Sequence, residues 1–153
     1  MKTLSFDTYG IDTNILIYAS DKKNIFYKKS RKIFEEIVKG KIKGVITPQN
    51  IFEYISVITS IKQIPKPISI NTAIKDVDDF LNLGLNIIYP TQKSVRSALK
   101  FAEKARISGR KIFDFYLGAT LVENDIRFLI TANSSDFSAF NKYFRVINPF
   151  ENN

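Results

Sequence analysis

The chain has 153 residues, 44% hydrophobic and 25% charged, enough for one domain that buries about 70% of its unfolded surface. It contains no Cys and no His, which excludes disulfides, thiolate or imidazole metal sites, Cys nucleophiles and Ser-His-Asp chemistry. Any ionisable chemistry falls mainly to carboxylates, Lys or Tyr, and a net charge of +8 suits a polyanionic partner.

In chain order, a first strand is predicted within Leu4–Ile11. From Asn24 to Val38, Ile33, Phe34, Ile37 and Val38 share one helical face, and Gly40 follows as a stop. Gly44–Thr47 reads as a short strand, and Pro48 opens a helix carrying Phe52, Ile55, Ile58 and Thr59. Two prolines in Gln63–Ile68 forbid a continuing helix and mark a surface connection. A helix over Ile70–Leu83 ends at Gly84, and Asn86–Tyr89 is a strand stopped by Pro90. Thr91 caps a helix through Arg106 that Gly109 closes, and Phe113–Glu123 is a further helix. Arg127–Thr131 and Tyr143–Ile147 are the last strands. Short apolar strands alternating with amphipathic helices give the α/β class: a single domain over 1–153, an αβα sandwich with a mainly parallel central sheet.

No apolar run approaches the about 18 residues of a membrane span, and MKTLSFDTYG lacks the apolar core of a signal peptide. The expected place is the cytoplasm, with no membrane partner.

In an open parallel sheet, function gathers beyond the carboxyl ends of the strands. Asp12, Glu53, Asp114 and Asp136 all fall just after predicted strands or at helix starts, so four carboxylates from four distant segments should approach one sheet edge. Each has a plain structural reading as well. Asp12, Asp114 and Asp136 have the positions of helix N-caps, and Glu53 stands three residues after Asn50, the spacing of a capping box. Assembled together, however, carboxylates repel, and a divalent cation gives a reason to assemble them. Without His or Cys, hard oxygen-ligand ions such as Mg²⁺ or Mn²⁺ are the natural choice.

Four motifs carry a family resemblance. Gly10–Ala19, reading GIDTNILIYA, resembles the opening of PIN-domain ribonucleases, particularly the VapC-type toxins of toxin–antitoxin pairs. The family's second acidic region resembles Gln49–Tyr54, its third Ile112–Thr120, and its fourth Leu129–Phe137. One departure stands out: many members carry Asp two residues after the Thr, where this chain has Asn133, so the acid there would come from Asp136.

The resemblance implies a Mg²⁺- or Mn²⁺-dependent endoribonuclease that cuts RNA phosphodiester bonds, with Asp12, Glu53, Asp114 and Asp136 as metal ligands and catalytic groups. Asn14, Thr131 and Asn133 would support them. It also implies a protein antitoxin whose carboxyl-terminal segment blocks the acidic groove, and a homodimer. The competing class is a non-catalytic PIN-like module that binds RNA or protein without cutting.

Two other resemblances are thinner. Phe6–Gly10 resembles the nucleophile loop of haloacid-dehalogenase-type hydrolases, but the further motifs of that family are not visible. A phospho-acceptor receiver would need an Asp after the strand near Ile88, where Tyr89 and Pro90 stand. The basic residues concentrate in Lys22–Lys43 and Lys93–Lys111, and Lys93, Arg96, Lys100 and Lys104 form one helical stripe. That stripe reads as a solvated face or as an RNA-backbone track. Phe113, Phe115 and Tyr116 read as core or dimer contacts in preference to base-stacking platforms.

Overall fold

The computed structural model describes residues 7–151. Five strands, Thr8–Ile11 (β1), Lys43–Ile46 (β2), Asn86–Ile87 (β3), Phe128–Ile130 (β4) and Arg145–Ile147 (β5), pair in the order β3-β2-β1-β4-β5. Every pairing is parallel, so the expected "mainly parallel" sheet is wholly so among the described residues. Six α-helices, Thr13–Ser20 (α1), Tyr27–Val38 (α2), Pro48–Ile58 (α3), Ile70–Asn82 (α4), Gln92–Ala105 (α5) and Lys111–Glu123 (α6), and a 3-10 helix over Ser134–Phe140 complete the described chain.

Successive residues of a strand face opposite sides of the sheet, and both sides are covered. Ile46 and Ile130 join a core with Ile15, Leu16, Phe34, Tyr54 and Phe80, contributed by α1 to α4. Their neighbours Val45 and Leu129 join a second core with Phe115, Leu121, Phe137 and Phe140, contributed by α6 and the 3-10 helix. Two apolar layers on one sheet make the αβα sandwich. No helix among the described residues is long and apolar enough to cross a membrane.

The expected elements are present with shifted ends. Of the first strand, Leu4–Phe6 lie outside the described residues. The helix expected from Asn24 starts at Tyr27, because the Asn24 side chain accepts from the Phe26 N–H at 2.8 Å and closes a turn instead. Gly40 does stop α2, at φ 68°, a conformation open to glycine without strain. The capping box on α3 pairs Thr47 with Asn50, not Asn50 with Glu53. This correction frees Glu53 from a cap role. Asp114 and Asp136 are not N-caps either: each lies inside the first turn of its helix, and the cap positions belong to Arg110 and Asn133.

Gly118 decides how two of the site-bearing elements meet. A Cβ there would lie 2.5 Å from the Phe140 ring, so only glycine lets the 3-10 helix pack this closely on α6. One of those elements carries Asp114 and the other Asp136.

Candidate active site

From β1 the chain steps outward to β2 and β3, then returns to the other side of β1 for β4 and β5. The direction of winding therefore reverses between β1 and β4, where open parallel sheets form crevices at the carboxyl ends of their strands. The β1–β4 ladder pairs Ile11 with Ile130, and the Asp12 N–H still bonds the Ile130 carbonyl at 3.0 Å. Asp12 and Thr131 leave the sheet side by side.

The Thr131 hydroxyl donates to Asp12 Oδ2 at 2.7 Å, and the Thr13 N–H donates to Oδ1 at 2.7 Å. Asn14 Nδ2 adds a bond to Oδ2 at 3.0 Å and one to Thr131 Oγ1 at 3.2 Å. Asn14 Oδ1 in turn accepts from the Ala132 N–H, and Thr131 Oγ1 from the Asn133 N–H. Asp12 is thus both the cap of α1 and a buried carboxylate fixed from three sides.

Glu53 is held differently. Thr13 Oγ1 donates to its Oε2 and Gln49 Nε2 to its Oε1, both at 2.9 Å. Gln49 Nε2 also reaches the Phe113 carbonyl at 3.0 Å, so it ties α3 to the first turn of α6. Behind Thr13, Asn50 Nδ2 donates to the Thr13 hydroxyl while its Oδ1 accepts from Thr47, making the α3 cap part of the same network.

A cleft of about 720 Å³ opens over these groups, lined by Asp12, Glu53, Asp114 and Asp136 together with Asn14, Asn133, Arg110 and Lys111. Four carboxylates from four distant segments are therefore brought together. None of them takes part in an ion pair among the described residues. Burial pushes the Asp12 carboxyl up to about 6, against the lowering effect of its hydrogen bonds, with the charges of Glu53 and Asp136 adding to the rise. Burial followed by the charges of Asp136, Asp12 and Glu53 pushes Asp114 up to about 7, while Lys111 opposes the shift. The cleft holds more negative charge than its own residues neutralise.

Among the described residues no three acidic side chains stand close enough to form a ready-made ligand group for a metal ion. The donor set nevertheless suits a hard divalent cation. Mg²⁺ keeps several of its waters and takes only one or two carboxylates directly, so a cleft ringed by carboxylates at wider spacing fits it.

Against this geometry, the family model of the PIN domain matches residues 9–143. The chain belongs to the PIN-domain family. No curated protein matches it significantly in sequence. Among solved structures, this PIN domain is similar to a toxin-antitoxin complex from Klebsiella pneumoniae, with 19% identity, a TM-score of 0.63, and coverage of 94% of this chain and 99% of that one. VapBC-1 from nontypeable Haemophilus influenzae gives 20% identity and a TM-score of 0.64, with the same coverage. VapC20 of Mycobacterium tuberculosis, a sarcin-ricin loop cleaving toxin, gives 10% identity and a TM-score of 0.66 over 92% of this chain and 99% of that one. These likenesses establish the shared fold.

Several residues of this PIN-domain cleft escape the sequence reading. Gln49 precedes Glu53 by four on one helix, a spacing that puts both on one face, and this was the available signal. Thr13 sits between two residues already singled out. Arg110 and Lys111 line the cleft, whereas Lys93, Arg96, Lys100 and Lys104 do not, and Lys93 instead bridges Glu123 at 3.0 Å. Phe113 is neither core nor aromatic-paired; it stands exposed in the cleft, while Phe115 is buried.

Proposed function

We propose that this PIN domain is a Mg²⁺- or Mn²⁺-dependent endoribonuclease and the toxin of a toxin–antitoxin pair. The observation that carries this reading is the assembly of Asp12, Glu53, Asp114 and Asp136 around one cleft, where they outnumber the two cations that line it, Arg110 and Lys111. A metal-dependent nuclease site uses such an arrangement, because an ion held there reverses the sign of the field that an RNA phosphate would meet. A bound divalent ion would supply an activated water and a counter-charge for the phosphodiester.

The protein's own residues have separable tasks. Asp12, Glu53, Asp114 and Asp136 would hold the ion, directly or through water. Thr131, Asn14 and Thr13 fix the Asp12 carboxylate, and Thr13 and Gln49 fix Glu53. Arg110 and Lys111 would take the phosphates flanking the cut.

The toxin role draws on the toxin-antitoxin complex and the loop-cleaving toxin that share the fold. It implies a protein antitoxin and a homodimer. An antitoxin Arg entering the cleft makes physical sense, since a guanidinium can stand in for the ion's charge with bidentate hydrogen bonds.

Purified protein should cleave RNA only with Mg²⁺ or Mn²⁺ present, and Asp12→Ala should lower the rate by at least about 100-fold. RNA binding without cleavage under either ion would overturn the enzyme reading in favour of a binding module.

A further inference from the structure

Twelve of the thirteen phenylalanines fall among the described residues. Ten of them are buried or half-buried, and each packs against another aromatic ring. The two that remain are Phe52, 71% exposed, and Phe113, 48% exposed. Both line the carboxylate cleft. Each also directly precedes a carboxylate on its helix, Glu53 on α3 and Asp114 on α6, so each ring lies about 100° around the helix axis from the acid it flanks.

Single exposed apolar residues are ordinary, but these two share a site and a chemistry. Away from the cleft the large exposed apolar residues are mostly aliphatic, among them Ile70, Ile74, Val95 and Leu99, and the exposed aromatics there are Tyr89 and Tyr143. At the cleft the two are flat π-faces beside two cations and a carboxylate cluster. A nucleotide has the complementary pair of parts, an apolar planar base and an anionic phosphate. Stacking on aromatic side chains is how unpaired RNA bases are held, and paired bases in an A-form duplex have no free face to offer.

We propose that Phe52 and Phe113 are stacking seats for the nucleobases that flank the scissile phosphate. This rests on the ribonuclease reading above. Arg110, at the start of α6, and Lys111 then bind the backbone next to a base that Phe113 holds.

The test uses the full chain with a short RNA carrying 2-aminopurine, offered as a single strand and as a duplex. The parent should quench the fluorescent base on binding the single strand and cleave it in preference to the duplex. Phe52→Ala plus Phe113→Ala should raise KM for the single strand by at least roughly 30-fold and abolish the quench, with kcat much less affected. Leu at both positions should fail to restore KM, whereas Tyr should restore most of it. Both rings are exposed, so the melting temperature serves as the folding control and should not move.

A double-Ala variant with the parent's KM and quench would overturn the proposal. So would full recovery with Leu, because an aliphatic seat points to an apolar protein partner. A parent that binds with quenching but never cleaves would sink the ribonuclease reading while supporting the stacking seats.

Discussion

Asp12 and Glu53 accept five hydrogen bonds between them, whereas Asp114 and Asp136, across the same cleft, accept none from the described residues. The electrostatics follow this division. Asp12 is the more deeply buried of the two shifted acids, yet its carboxyl rises only to about 6, because Thr131 and Thr13 stabilise the charged form. Asp114 is less buried and has no donor, and it rises to about 7. One half of the cleft is built in advance by the sheet edge and the start of α3. The other half rests on helix first turns, where no hydrogen bond from the described residues fixes either carboxylate.

The sharpest way to break this contrast is to remove a donor from the fixed half. Thr131→Val keeps the side-chain shape but deletes the hydroxyl that bridges Asp12, Asn14 and the Asn133 N–H. RNA cleavage should fall about 10- to 100-fold, as for other groups that orient a metal ligand. Leaving the buried Asp12 with fewer donors should also cost about 1–3 kcal/mol of stability, measured by denaturant unfolding. Thr131→Ser should restore most of both. Parent-like cleavage by the Val variant would show that the hydrogen bonds serve only the fold.

A smaller effect is expected from pH. Asp12 and Asp114 both have folded-state pKa values above the usual 3.8, so the folded chain binds protons more tightly than the unfolded one. Their contribution to stability is fully present below about pH 4 and is lost as pH rises through 6 and 7. Without divalent ions, the melting temperature should therefore fall between pH 5 and pH 8, by on the order of 5 °C. Millimolar Mg²⁺ should flatten that fall, because the ion replaces the protons, and Asp114→Asn should flatten it without the ion. A metal-free melting temperature that rises from pH 5 to pH 8 would contradict the charge crowding.

The fixed half was the more legible half in the sequence, though incompletely. Asp12 is legible as an acid at the end of a short strand, and the family resemblance adds Asn14 and Thr131 as its supports. Their bonding partners were harder to see. Gln49 and Thr13 act on Glu53 through contacts that depend on how α1 lies against α3, and side-chain periodicity carries no such information. For the loose half the sequence leaves two local roles open, cleft acid or N-cap, since acids at helix starts are often caps. Arg110 and Asn133 hold those positions instead. The layer order followed from alternating apolar strands and amphipathic helices, but the close packing that Gly118 permits depends on Phe140, more than twenty residues away.

Asp136 tests the adaptable half with the smallest expected change. Its side chain has no hydrogen bond among the described residues, and it does not cap its helix, so Asp136→Asn removes charge and little else. Stability should stay within about 0.5 kcal/mol of the parent. Losing that carboxylate also lowers the charge crowding on Asp12 and Asp114, both of which feel it. The pH-dependent fall in melting temperature should therefore shrink. If Asp136 reaches the ion, RNA cleavage should drop about tenfold, the low end for groups that tune a metal site, because an adjustable half compensates partly for one lost ligand. Asp136→Ala should behave the same way, since no cap is at stake. Asn133 lines the same cleft, so adding Asn133→Asp should rescue Asp136→Ala if both positions serve one ion. A loss of about 100-fold or more, with no rescue, would mean that Asp136 is as rigidly placed as Asp12 and that the two halves are not different in kind.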